Sequence, residues 1–255
     1  MLQNSLNKLS GERPYDWVQL FFVPAWVLTG YVVSVVITSV LAISIAKLGI
    51  PLGLVNQAVY GLVISIVVYA LTLMFVIGLP VLLKKQTVSR VLIGLTRLPS
   101  WKDILLAPAG FVIYFIASAV VMVLLAQFIP ALNLNEAQDI IFKGLSEQYE
   151  FILAFLALVV IAPIAEEILF RGYLYGKLKR AVPTWVAMLM TSALFGLVHF
   201  QWNVSIDVFI LSLVLCSLRE VTGNISAGIL LHMLKNGIAF YFLFINPLLS
   251  HTLGG

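Results

Sequence analysis

Charged residues are scarce in this chain: Asp, Glu, Lys and Arg make up only 10% of its 255 residues, whereas ordinary soluble domains hold roughly 25%. Hydrophobic residues account for 62%, which is more than a soluble fold of this length can hide from water. The composition therefore excludes an ordinary soluble enzyme and predicts an integral membrane protein surrounded by the lipid bilayer. The net charge of +4 fits basic cytoplasmic loops, so no nucleic-acid partner is expected.

Cysteine is almost missing as well, since Cys216 is the single one and lies in an apolar run. A disulfide framework and a cysteine-based metal site are thereby excluded. The chain also lacks the HExxH motif of helical zinc peptidases, a GxGD motif and a histidine obviously coupled to a serine nucleophile. Several familiar routes to peptide hydrolysis in membranes therefore find no support.

Apolar runs dominate what is present, and about 20 such residues cross the hydrocarbon core at 1.5 Å per residue. We predict an all-α fold, a polytopic transmembrane helical bundle of about seven spans (six to eight) with an intramembrane polar cavity. The whole chain, 1–255, is expected to be a single membrane domain, with N-terminal spans up to about 148 and a catalytic core over about 149–248. The predicted spans are 20–46, 57–83, 104–129, 149–180, 184–201, 206–219 and 225–248.

The distribution of Lys and Arg predicts an N-terminus in the cytoplasm, because it leaves most of the basic residues on that side. The loop before the fourth span, LNLNEAQDIIFKGLSEQ, predicts a short amphipathic helix at the opposite surface. The basic residues on the cytoplasmic side are Lys8, Arg13, Lys84, Lys85, Arg90, Arg97, Lys102, Lys177, Lys179, Arg180 and Arg219.

The fourth span carries the most informative motif, AEEILFR. Charges at the bilayer centre cost about 2.5 to 3.5 kcal/mol, and they usually face the protein interior and serve function. On a regular helix Glu167 and Arg171 lie about 40° apart, whereas Glu166 lies about 140° from Arg171. We therefore predict a supporting ion pair between Glu167 and Arg171. Glu166, without a local cationic partner, is the candidate general base.

Two further motifs can meet these glutamates. FGLVHF places Phe195 and His199 one turn apart on the fifth span. The turn between the fourth and fifth spans is about equally far from Glu166 and from His199, so an antiparallel helix pair brings both to the same depth. HMLKN places His232 and Asn236 on one face of the last span, with His232 roughly 10 Å past its start.

Taken one by one, these motifs have structural explanations, because membrane helices also use polar side chains to hold one another. Together they indicate a functional cluster, and two chemistries suit it. In the first, Glu166 and His199 deprotonate a water, while His232 and Asn236 donate hydrogen bonds to the oxyanion. In the second, zinc bound by Glu166, His199 and His232 activates the water. The first, without a cofactor, is preferred because asparagine is a poor zinc ligand.

The three motifs, at 166–171, 195–199 and 232–236, resemble those of the CPBP family. This family comprises CAAX prenyl endopeptidases and bacteriocin-processing or bacteriocin-immunity proteins, also called Abi proteins. The resemblance covers roughly 149–248 and implies an intramembrane endopeptidase that acts on a small peptide or on a membrane-proximal protein tail. The roles that it implies are Glu166 as water-activating base, His199 as assisting histidine, His232 and Asn236 as oxyanion donors, and Glu167 and Arg171 as supporting residues.

Other functions stay open at this point. Some relatives act as scaffolds for membrane partners such as sensor kinases, and others give immunity to bacteriocins, although a scaffold need not retain Glu166. A transporter or proton relay also uses buried glutamate and histidine. Against a transporter, the sequence shows no inverted repeat.

Overall fold

The computed structural model describes residues 15–49, 52–85, 89–129, 142 and 144–246, and within them it contains seven long helices and no strand. The predicted all-α helical bundle is confirmed. Residues 132–141 and 143 of the predicted surface helix lie outside the described residues, and residues 142 and 144–147 of it are not helical. The helices are α1 (Gln19–Lys47), α2 (Gln57–Leu83), α3 (Trp101–Phe128), α4 (Gln148–Leu178), α5 (Thr184–Leu197), α6 (Trp202–Thr222) and α7 (Ser226–Ile245).

Five helices, α1 to α4 and α7, are long and apolar enough to cross a bilayer, as expected for a multi-pass membrane protein. The fifth predicted span is shorter than expected, since α5 has 14 residues and reaches about 21 Å. The sixth is longer than expected, because α6 has 21 residues. Phe21, Val63 and Phe115 are among the large apolar side chains exposed along α1 to α3, which suits a surface in contact with lipid.

Helix starts follow local capping chemistry. The side chain of Asn56 accepts hydrogen bonds from the N–H groups of Ala58 and Val59 at the start of α2, where backbone donors have no helical partner. At the start of α3, Asp103 accepts from the Ser100 N–H at 2.7 Å. Gly223 ends α6 with φ +68°, a conformation that glycine adopts without strain.

Helices α2 and α4 contain wide turns with hydrogen bonds between residues five apart. These turns span Met74–Gly78 in α2, and Leu156–Ile161 and Glu167–Leu174 in α4. Two of them end two residues before a proline, Pro80 or Pro163. Since proline has no N–H to donate, the helix loses its regular bonding pattern there.

The C-terminal half of α4 is buried in the core, where α1, α5 and α6 pack around it. Gly172 permits close packing, because a Cβ atom there would lie 2.4 Å from the Ile93 carbonyl oxygen. Gly110 does the same between α3 and α7, where a Cβ would lie 2.7 Å from Leu231. The side chains that are fully buried in this half of α4 are Glu167, Arg171, Leu174, Tyr175 and Leu178.

Candidate active site

A cavity of about 480 Å³ lies within the bundle, lined by side chains from α1, α2, α4, α5, α6 and α7 and from the turn after α5. Its volume falls within the usual range for small-ligand sites. Glu166, His199, His232 and Asn236 all line it. The structure thus brings the four predicted catalytic residues to one place.

The two adjacent glutamates have different surroundings, and Glu167 forms the predicted ion pair with Arg171. Glu167 Oε1 accepts from Arg171 Nη1 at 2.8 Å, and both side chains are 0% exposed. Gly228 on α7 packs directly against this pair, since a Cβ atom there would lie 2.8 Å from Glu167 Oε2. The guanidinium carbon of Arg171 lies 4.3 Å from the ring centroid of Phe195, a cation–π contact that gives Phe195 a structural role.

Glu166 points to the cavity, with its side chain 17% exposed and Oε2 lying 3.7 Å from His232 Nε2. Oε1 accepts a hydrogen bond of 2.5 Å from the hydroxyl of Tyr69 on α2. The sequence argument considered only cationic neighbours on the same helix, whereas this hydrogen bond comes from a hydroxyl group on another helix. Tyr69 was missed in the sequence, where it stands as one aromatic residue in an apolar span.

His199 lies outside helix α5, although the predicted span 184–201 includes it. Helix α5 ends at Leu197, and His199 sits in a turn in which Phe200 has φ +57°. The predicted relation to Phe195 nevertheless persists, because His199 Nδ1 lies 2.8 Å from the Phe195 carbonyl oxygen. A carbonyl only accepts, so Nδ1 carries the proton that it donates, and Nε2 of the neutral ring is left as an acceptor.

Asn236 is oriented by the irregular part of α4, where its Nδ2 donates to the Leu158 carbonyl oxygen at 2.9 Å. That carbonyl is free for a structural reason. The Ala162 N–H, four residues on, donates to Ala157, and Pro163, five residues on, has no N–H. The asparagine amide replaces the missing helical donor, and its Nδ2 carries a second N–H beside this one.

His232 bridges the two glutamates. Its Nδ1 lies 3.3 Å from Glu167 Oε1, while its Nε2 faces Glu166 on the cavity side. Lys235, also on α7, lines the cavity as well.

The zinc alternative required Glu166, His199 and His232 to converge on one ion. In the part of the chain that the structure describes, no three His, Cys, Asp or Glu side chains form such a group. The described residues therefore give no support to zinc held by these three side chains together.

A comparison with protein families matches residues 148–238 to a family described as Rce1-like, type II CAAX prenyl endopeptidase. The matched range begins with α4, ends within α7 and contains all three motifs, but it does not include Tyr69. No significant match was found among curated proteins or among solved structures. The match supports a protease. It confirms the resemblance to the CPBP family over residues 148–238, where the chain is similar to type II CAAX prenyl endopeptidases.

Proposed function

We propose that this protein is an intramembrane endopeptidase that hydrolyses a peptide bond in a small peptide or a membrane-proximal protein tail. The observation that carries the proposal is the setting of Glu166. Its carboxylate faces a cavity inside the bundle, is held through one oxygen by Tyr69 and has its other oxygen opposite His232. A carboxylate placed in this way is suited to take a proton from a water molecule.

In the first step, Glu166 Oε2 removes a proton from water as the water oxygen attacks the scissile carbonyl carbon. The unprotonated Nε2 of His199 accepts a hydrogen bond from the same water and directs its lone pair at the carbonyl. General base catalysis of this kind contributes roughly 10²- to 10⁴-fold to the rate. The buried pair of Glu167 and Arg171 holds the helix that presents the base.

In the second step, negative charge develops on the carbonyl oxygen. Asn236 donates its free amide N–H to this oxyanion, with its orientation set by the bond to Leu158. His232, when both ring nitrogens are protonated, donates from Nδ1 to Glu167 and from Nε2 to the oxyanion. A single oriented donor is worth about 2.7 to 4 kcal/mol in such sites.

The tetrahedral intermediate then collapses as the carbon–nitrogen bond breaks. The proton that Glu166 took from water passes to the leaving amine nitrogen. The products are a carboxylic acid on one fragment and an amine on the other, which become carboxylate and ammonium when the acid passes its proton to the amine, and Glu166 returns to its starting state. No step requires a cofactor.

Peptide profiling of membranes that contain the wild-type protein or its Glu166→Gln variant tests the proposal. We expect peptides that depend on the wild-type protein to disappear with the variant. Glu220→Gln is the matched control, since this exposed glutamate pairs with Lys179 at the surface and its loss should change nothing. Identical profiles for wild type and Glu166→Gln would instead favour a scaffold that holds a membrane partner.

Elemental analysis of the active purified protein tests the preference for a site without metal. We expect activity to survive chelation and metal content to fall below one ion per chain. Stoichiometric zinc that is lost together with activity, and restored with it, would overturn the cofactor-free mechanism while leaving the peptidase assignment in place.

A further inference from the structure

A second polar cluster joins three helices beside the proposed catalytic residues. Asp207 on α6 accepts hydrogen bonds at Oδ1 from two hydroxyls of α3, that of Tyr114 at 2.7 Å and that of Ser118 at 2.6 Å. Its other oxygen, Oδ2, lies 3.5 Å from Nζ of Lys235 on α7. We call these four residues the Asp207–Lys235 cluster.

Lys235 reaches from this cluster into the catalytic cavity, which it lines together with His232 and Asn236. It lies three residues after His232, so their Cα atoms are separated by about 4.5 Å along the helix axis. The side chain of Lys235 is 19% exposed, so the ammonium group is neither sealed in the core nor released to the bilayer.

The geometry leaves part of this ammonium group available. It has three N–H donors, and one carboxylate oxygen at 3.5 Å is a long contact that cannot satisfy them all. A cation at this depth is costly unless it meets an anion. Asp207 is tied through Oδ1 to α3, so it positions Lys235 without enclosing it.

From these contacts we infer that Lys235 binds a carboxylate of the peptide substrate, and that Asp207 positions the ammonium for this contact. The inference rests on the proposed peptidase function and names a chemical feature of its substrate. Near the scissile bond the carboxylate has two sources, the free C-terminus of the peptide or an acidic side chain. In the restricted volume of the cavity, a charge-assisted hydrogen bond to either one is strong.

The test uses the purified full-length protein and three quenched fluorogenic peptides of one sequence. The first ends in a free carboxylate, the second in an amide, and the third in an amide with a glutamate placed near the C-terminus. A charge-assisted contact predicts that wild type cleaves a carboxylate peptide with a kcat/KM roughly tenfold to hundredfold above that of the plain amide. A preference for the first peptide identifies the C-terminus as the source, and a preference for the third identifies the side chain.

In Lys235→Met we expect the kcat/KM of the carboxylate peptide to lie within about threefold of that of the amide peptide. The change should come mainly from a higher KM for the carboxylate peptide, because the cation that pairs with it is lost. Lys235→Arg should retain most of the preference. The matched control is Lys47→Met, which removes an exposed lysine at the end of α1. If Lys235→Met does not fold, inhibition of wild type by short acid and amide product peptides measures the same preference.

Each outcome bears on a definite statement. If wild type cleaves all three peptides at equal rates, the carboxylate site is overturned and the peptidase function stands. The same conclusion follows if Lys235→Met keeps the wild-type ratio of kcat/KM between the carboxylate and amide peptides. Equal inhibition of wild type by the acid and amide product peptides would also overturn the carboxylate site. Failure of the wild-type protein to cleave any peptide would instead overturn the proposed function, and the substrate assignment with it.

Discussion

Replacing Glu167 by glutamine removes the counter-charge of Arg171 and should destabilise the bundle. Both side chains are 0% exposed and their polar atoms are 2.8 Å apart. Breaking one partner of a buried ion pair costs about 3 to 5 kcal/mol. Glutamine keeps an oxygen that can accept from Arg171, and the contact with the Phe195 ring remains. We therefore expect a loss near the lower end, about 3 kcal/mol.

The reverse change, Arg171→Met, strands the carboxylate and also removes the cation–π contact with Phe195, which is worth up to about 2 kcal/mol when desolvated. It should therefore be the more damaging of the two. In the double variant Glu167→Gln with Arg171→Met, neither charge remains buried alone. We expect it to lose clearly less stability than the two single variants lose in sum.

The assay is unfolding of the four proteins in one detergent, followed by intrinsic fluorescence. A single heating rate is needed, because large membrane proteins often unfold irreversibly and the apparent midpoint then depends on that rate. If Glu167→Gln unfolds at the same midpoint as wild type, the buried pair does not stabilise the protein. A double variant that loses the full sum of the single losses would refute the coupling between the two residues.

Two further predictions compare matched variants on one helix each. Gly228→Ala should lower stability by about 1 to 3 kcal/mol through overpacking against Glu167, whereas Gly237→Ala, with its nearest neighbour at 3.6 Å, should be neutral or slightly stabilising in thermal unfolding. Equal midpoints for the two would contradict the close approach of α7. Tyr69→Phe removes a hydrogen bond to a carboxylate worth about 1.5 to 3 kcal/mol and should lower kcat about tenfold or more, whereas Tyr60→Phe should not. Full activity of Tyr69→Phe would show that this hydroxyl does not hold the base.

The helices and the three motifs could be predicted because they depend on local patterns. Apolar length alone identifies the long spans. Residues four apart lie on adjacent helical turns, so Glu167 and Arg171 form their ion pair even within the wide turn Glu167–Leu174. Within this local range the sequence carried enough information.

Contacts between distant helices could not be predicted in the same way. Tyr69 and Glu166 are 97 positions apart, and nothing in the apolar run of α2 indicates which face turns toward α4. The cluster that joins Asp207 to Lys235 was missed for the same reason, since it depends on how α3, α6 and α7 pack.

The end of α5 was misplaced for a different reason. The apolar run continues through Val198 and Phe200, and no proline or glycine stands after the last helical residue, Leu197. The turn is instead made by Phe200 with φ +57°, a conformation uncommon for a bulky residue. Only the tertiary structure reveals that His199 belongs to this turn and faces the cavity from outside the helix.

Cleavage of a defined peptide by purified Glu166→Gln, measured beside wild type and Glu220→Gln, tests the central claim most directly. If Glu166 is the general base, kcat should fall by roughly 10²- to 10⁴-fold while the variant keeps the wild-type unfolding midpoint and elution profile. The Glu220→Gln control should remain at the wild-type rate. A folded Glu166→Gln protein that cleaves the peptide as fast as wild type would contradict the assignment of this carboxylate as the base.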